Sequence, residues 1–488
     1  MSESSPVFER FLSTPQVLEI FGAPSFVQAM LDVESALAQA QAAEGLIAQA
    51  SADAISSQCR AGLVDVEAIV SASTQAGSLA IPLVKQLTEA VARVDADAAK
   101  QVHWGSTSQD IIDSANVLLT RRALSLVDRD LSALNEALLA QAQAHADAPA
   151  LARTLMQPAS VVSFGFKCIA WIQPLLRTQR KLRAAAADAL QLQLGGAVGT
   201  LSVMGDRGPA VARRMAERLG LPPPGGAWHT QRDDWIRLGC ELGVLCGALG
   251  KLARDWSLMA QAEVGELAEP SGAGRGGSSA MPHKRNPVAA MVALAAAQRA
   301  PQRVAALLQC MPQEHERGLG NWQAELAEWA ELFLIVHGAV RALAEAAPGL
   351  QVDTARMAHN IEQLQGVVNA EAVTMRLAAV LGKPRAQALM EQLSRRAIDE
   401  GRHLRELVTQ AIAQDPVLVA ISQQEIASLF DPQLAAAPAR ALAARRLPEL
   451  QAAAVELRKA SQGNAGPPQV SLTPSGGGLG EAQPWGRS

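Results

Sequence analysis

The chain has 488 residues, 49% of them hydrophobic and 18% charged, with a formal net charge of −4. That length allows two to four domains around a large core, and the composition excludes a disordered chain. So small a net charge argues against a nucleic-acid surface, and any anionic ligand must be held by local cations. The cysteines Cys59, Cys168, Cys240, Cys246 and Cys310 lie far apart without CxxC spacing, which points to neither a disulfide framework nor a zinc site. The start, MSESSPVFERF, lacks the basic flank and apolar stretch of a signal peptide. No apolar run is long enough for a membrane helix, so the expected compartment is the cytosol.

Alanine, leucine, glutamine and glutamate dominate, and strand-like alternation is scarce. The pattern is helical from Ser25 to about Arg60 with a break at Gly45. The segment Gly77 to Pro82 reads as a loop, and helix resumes at Leu83. Next comes HWGSTSQDIIDSA, His103 to Ala115. Thr107 and Asp110 have the spacing of a capping box. Ile111, Ala115, Leu118, Leu119, Leu131, Leu134 and Leu138 keep helical spacing. One helix from about Ser108 to His145 is predicted, roughly 57 Å long at 1.5 Å per residue. Thr107 and Ser108 are suited to capping alone. With His103 ahead of the same helix N-terminus, they are equally suited to binding a carboxylate.

After a turn at Ala148-Pro149, the segment RTLMQPAS, Arg153 to Ser160, leads into another long apolar helix. Gly196 to Thr200, GAVGT, reads as a glycine hinge or as a site segment. From Trp235 the residues Leu238, Leu242, Leu245, Leu249, Leu252, Trp256 and Met259 alternate three and four apart, the seam of a helical bundle. Gly239, Gly243 and Gly247 fall at spacing four on another face, as close helix approach would require. This helix should be buried on more than one side, as at the centre of an oligomer.

The stretch Glu266 to Val288, ELAEPSGAGRGGSSAMPHKRNPV, carries the densest chemistry. A glycine-rich run, including Gly272, Gly274, Gly276 and Gly277, favours mobility. Ser278 and Ser279 follow, then His283, Lys284, Arg285 and Asn286. Asn286-Pro287 reads as an N-cap with proline at the first helical position. Lys284 and Asn286 are then expected at a helix mouth that attracts anions. A hydroxyl on a mobile loop beside a lysine and such a mouth suits proton transfer next to a carboxylate. Beyond it, QEHERGLGNWQAE offers His315 and Arg317 as anion contacts. A smaller helical region runs from Asp353 to about Ala460, with breaks at Gly366, Gly382-Lys383-Pro384 and Asp431-Pro432. Residues 461–488 hold eleven glycines and prolines and read as a disordered tail.

The run GSSAMPHKRNP, with HWGSTSQDIIDSA and RTLMQPAS in this order, resembles the fumarase/aspartase superfamily over roughly Phe8 to Ala460. The resemblance implies an all-α fold, a long central helical bundle with smaller helical N- and C-terminal domains. The expected divisions are 1–106, 107–352, 353–460 and the tail 461–488. It implies Ser278, Lys284 and Asn286 as catalytic residues, and His103, Thr107, Ser108, Thr154, Gln157, His283 and Arg317 as contacts to a small polycarboxylate substrate. It further implies a homotetramer with sites shared between subunits, and no metal or organic cofactor, nucleic acid or membrane. The details AIPLVKQL and EHERGLGNWQAE resemble the superfamily's cycloisomerase branch, which interconverts an open carboxymuconate diene and its γ-lactone. Members of the adenylosuccinate lyase type, which release an amine and fumarate, carry a histidine where this chain has Leu155. That absence is consistent with a carboxylate leaving group, whose pKa of about 4 removes the need for a general acid.

Overall fold

In the computed structural model, which describes residues 7–272 and 276–463, the N-terminal stretch folds as α1 (Ala23–Ala43) and α2 (Gln49–Gln58), parted at Gly45. Helix α3 (Ala80–Ala92) begins three residues before the expected start at Leu83. Pro82 lies in its first turn, where the missing N–H has no intrahelical partner to lose. Gly77 caps the preceding helix in the left-handed conformation, φ 68°, which glycine adopts without a Cβ clash.

The central part is a ring of long helices running alternately up and down: α4 (Ser108–Ala144), α5 (Phe164–Ala189), α6 (Asp233–Met259), α7 (Val288–Gln309) and α8 (Asn321–Ala346). Each packs on the next, and α8 closes back onto α4. Helix α4, 37 residues long, spans about 55 Å at 1.5 Å per residue. The bundle seam forms as the spacing predicts: Leu238, Leu242, Leu245, Leu249, Leu252, Trp256 and Met259 of α6 are all buried. Trp235 stacks on Trp329 of α8 with ring centroids 4.0 Å apart.

The glycines of α6 divide. A Cβ at Gly239 would meet Leu307 at 2.9 Å, and one at Gly243 would meet Val304 at 2.7 Å, so both allow α7 to approach closely. At Gly250 a Cβ would meet that of Ala297 at 2.5 Å, whereas nothing within this chain lies near Gly247. Close approach therefore belongs to Gly239, Gly243 and Gly250, and Gly247 lies on an exposed stripe with Val244.

Strand is confined to two small antiparallel pairs among the described residues. One is the hairpin β1 (Pro149–Thr154) and β2 (Gln157–Ser163) between α4 and α5. Residues 373–430 build a second core from Val373, Leu377, Met390, Leu393, Leu404, Leu407 and Val408, among others. Helix α9 (Ala437–Gly463) returns to lie along α4 and α5. There Arg183 donates to the Leu457 carbonyl at 2.6 Å. The first residues of the expected tail, 461–463, continue this helix, and the remainder lies outside the described residues. No helix among those residues is long and apolar enough to cross a membrane.

Gly250→Ala should destabilise the protein by about 1–3 kcal/mol through overpacking against Ala297. A thermal melt superimposable on wild type would contradict the close contact of α6 and α7.

Candidate active site

At one end of the bundle the chain brings together two motifs far apart in sequence. Thr107 is the N-cap of α4, and its N–H donates to Asp110 Oδ2 at 3.0 Å, one half of the predicted capping box. Arg317, from the loop after α7, donates to Thr107 Oγ1 at 2.6 Å and to Ser108 Oγ at 3.2 Å. Two hydroxyls and a guanidinium thus meet at a helix N-terminus, an arrangement suited to a carboxylate. His103, five residues before α4, has φ 60° and places Nδ1 2.6 Å from Glu34 Oε1. Burial works against the charged ring, but the Glu34 and Asp110 carboxylates together outweigh it and raise the His103 pKa above its ordinary value. His315, on the same loop as Arg317, also has positive φ, at 49°.

Beneath this mouth lies a charge network that the sequence reading did not single out. Asp110 accepts from the Gly195 and Gly196 N–H groups, both at 2.9 Å, and stands 2.7 Å from His229 Nε2. The GAVGT segment is therefore tied to the start of α4 by its backbone, which a bare hinge does not require. Asp113, one turn on, accepts from Arg232 Nη1 at 2.9 Å and from Trp322 Nε1 at 3.0 Å. Arg232 also pairs with Glu325, its Nε 3.0 Å from Oε2, and all three side chains are buried. Burial works to lower the Arg232 pKa, but the Asp113 and Glu325 carboxylates more than offset it and raise the pKa above the ordinary arginine value. The signal available in sequence was the Asp110/Asp113 pair at i, i+3, with Gln109, Asn116 and Thr120 at helical spacing beside it.

The remaining site residues lie at the other end. The segment RTLMQPAS forms the β1–β2 hairpin, where the sequence suggested only an approach to a helix. Thr154 pairs with Gln157 across a two-residue turn whose Leu155 and Met156 have φ of 49° and 67°. Such a turn matches the twist of the strands but strains non-glycine residues. Leu155 is 97% exposed within the chain, with Thr154 and Gln157 exposed beside it. The hairpin is anchored by Arg153, which grips the buried Glu266 at 2.7 and 3.0 Å.

The signature loop joins this end. Ser278 Oγ accepts from the N–H groups of Met281 at 3.1 Å and Ala280 at 3.4 Å. His283 and Lys284 are exposed. Asn286 does not cap α7: its N–H donates to the Gly276 carbonyl at 2.8 Å and its side chain to the Gly277 carbonyl at 3.3 Å. Helix α7 begins at Val288 as expected, but Pro287 occupies the N-cap position. Nor is the helix mouth open to a ligand. Glu269 accepts from the N–H groups of Ala289 at 2.9 Å and Ala290 at 2.8 Å, so a carboxylate of the chain itself already satisfies them. This corrects the expectation that the mouth stands free beside Lys284 and Asn286. Gly274, in the predicted mobile run, lies outside the described residues.

Within one chain, then, His103, Thr107, Ser108 and Arg317 occupy one end of α4. Thr154, Gln157, Ser278, His283, Lys284 and Asn286 occupy the other; the 22-residue α7 between Asn286 and the Arg317 loop alone rises about 33 Å.

An all-α ring of long helices with these motifs at its two ends is the architecture of a fumarase-like enzyme. A family model described as lyase matches residues 9–301, and the chain belongs to this lyase family, within the fumarase/aspartase superfamily. It is similar to 3-carboxy-cis,cis-muconate cycloisomerase from Bradyrhizobium diazoefficiens, at 44% identity over 92% of this chain and 98% of that one. The Pseudomonas aeruginosa enzyme of the same name is 43% identical over 93% of this chain and 98% of its own. Among solved structures, 3-carboxy-cis,cis-muconate lactonizing enzyme from Pseudomonas putida superposes with a TM-score of 0.86 at 41% identity. That match covers 92% of this chain and all of the other.

Arg232→Met should destabilise the protein by about 3–5 kcal/mol, because Asp113 and Glu325 would be left buried without their cation. Denaturant unfolding checks this. A loss within about 0.5 kcal/mol would mean that neither carboxylate depends on Arg232.

Proposed function

We propose that the protein is a cytoplasmic cycloisomerase interconverting 3-carboxy-cis,cis-muconate and γ-carboxymuconolactone without a metal or organic cofactor. The observation that carries this reading is likeness along nearly the whole of both chains to enzymes named for that substrate. The motif residues Thr107, Ser278, Lys284 and Asn286 are present at the same time.

In the lactonising direction a substrate carboxylate oxygen bonds to the β carbon while electron density moves onto the α-carboxylate as an enediolate. Ser278 then delivers a proton to the α carbon, and in reverse it removes that proton before the ring carboxylate leaves. A serine needs activation for this task, which loop closure and nearby cations supply. Lys284 and Asn286 stabilise the enediolate, each good donor contributing about 3–4 kcal/mol to the transition state. Since Glu269 fills the α7 mouth, side-chain donors carry this role rather than the helix dipole. Arg317 with Thr107 and Ser108, His103, and Thr154 with Gln157 hold the other carboxylates. His283 lies beside Lys284 in the same loop and joins the substrate contacts.

The two groups of residues are too distant to share a substrate within one chain. A homotetramer in which each pocket draws on several subunits resolves this. The exposed Leu155 at the hairpin tip then enters another subunit's pocket, where an apolar side chain suffices because a carboxylate leaving group needs no acid.

Purified protein should deplete carboxymuconate, followed by loss of its absorbance, and leave adenylosuccinate unchanged. Conversion of adenylosuccinate alone would favour a lyase that releases an amine and fumarate. Ser278→Ala should lose at least about a hundredfold in turnover with an unaltered melting temperature. Near-normal turnover would assign the proton to another group. Leu155→His should bring no gain in cycloisomerisation, and a clear gain would contradict the leaving-group reasoning.

A further inference from the structure

Glu34 is 1% exposed in the middle of α1, among Met30, Leu31, Val33 and Leu37, all buried. Only one of its oxygens is used: Oε1 lies 2.6 Å from His103 Nδ1, while Oε2 has no hydrogen-bond partner. A half-satisfied buried carboxylate is costly, and packing alone would be served as well by a leucine. The same helix makes a second tie to the same loop, as Gln41 Nε2 donates to the Trp104 carbonyl at 2.7 Å. Ser106 Oγ also lies 3.1 Å from His103 Nδ1. The ring is thus fixed through Nδ1 alone, on a backbone held at φ 60°. Nε2 has no partner among the described residues. His103 stands four residues before Thr107, whose hydroxyl Arg317 engages.

We propose that Glu34 is a positioning residue for the reaction: its carboxylate locks the His103 ring through Nδ1 and presents Nε2–H to a substrate carboxylate beside Thr107 and Arg317. A carboxylate behind a histidine fixes the ring's orientation in the same way when the ring binds a metal. At His103 the same charge favours the doubly protonated ring, in which Nε2 keeps its proton. The charged groups around the ring are Glu34 and Asp110, and Cys59 lies near both Glu34 and Asp32. Against the effect of burial, the Glu34 and Asp110 carboxylates raise the His103 pKa and so favour that doubly protonated form. The catalytic part of the proposal rests on the cycloisomerase reading, whereas the locking of the ring does not.

The test is Glu34→Gln, which keeps the shape and one acceptor but removes the charge, with Glu34→Asp as the charge-retaining partner. Histidine-labelled NMR should place the His103 midpoint of the wild-type oligomer above the ordinary value of about 6.5. It should move down in Glu34→Gln and back up in Glu34→Asp. With carboxymuconate as substrate, KM should rise about tenfold or more in Glu34→Gln, with a smaller change in kcat, and recover in part in Glu34→Asp. A wild-type midpoint at or below the ordinary value overturns the proposal, and needs no variant to fold. So does a KM unaltered by Glu34→Gln despite a shifted midpoint. If wild type leaves carboxymuconate untouched, the functional reading fails by itself, and the NMR result still decides whether Glu34 locks the ring.

Discussion

The length and rigidity of α4 constrain everything else. A helix of 37 residues cannot bend back on itself, so the hydroxyls at its start and the hairpin after its end stay roughly 55 Å apart. The ring of α5 to α8 keeps the two ends apart, because each of these helices, 22 to 27 residues long, returns the chain toward the opposite end. Arg317 therefore arrives beside Thr107, while the signature loop arrives beside the Arg153 hairpin and its anchor Glu266. A small polycarboxylate cannot touch both ends of one chain. The geometry and the proposed assembly are two sides of one constraint.

Both ends are held by charge buried in an otherwise apolar bundle. Asp110, Asp113, Arg232 and Glu325 tie the starts of α4, α6 and α8 to the Gly195-Gly196 backbone. At the far end Glu266 joins Arg153 and Asn360. Buried pairs of this kind contribute little net stability compared with apolar packing. What they supply is definite placement: an arginine with two carboxylates has one low-energy arrangement, and the helix mouth above it inherits that arrangement.

Much of this was legible in the sequence, for identifiable reasons. The apolar spacing of α4 and α6 has one helical interpretation, and the observed start of α4 at Ser108 follows from the Thr107/Asp110 pair. The hairpin was not legible. Leu155-Met156 has none of the glycine or asparagine that marks a two-residue turn, and RTLMQPAS lacks alternation. Glu269 was hidden because it caps α7 from twenty residues away, whereas local pattern favours the adjacent Asn286. No motif marks Glu34 within the helical pattern from Ser25 to Arg60, and only the folded chain puts it beside His103. Of the site residues, the fold brings Arg317 onto Thr107 and Ser108 and leaves the signature loop at the opposite end.

The central claim is that a working pocket needs the Thr107 end of one chain and the signature loop of another. The most direct measurement mixes two inactive proteins, Thr107→Val and Ser278→Ala, under conditions of subunit exchange. If the two motifs come from different chains, an equal mixture leaves about a quarter of the pockets with both residues intact. Activity on carboxymuconate should return to roughly that fraction of wild type. Mixed oligomers confirmed by mass that remain inactive would place both motifs in a single chain's pocket and contradict the account.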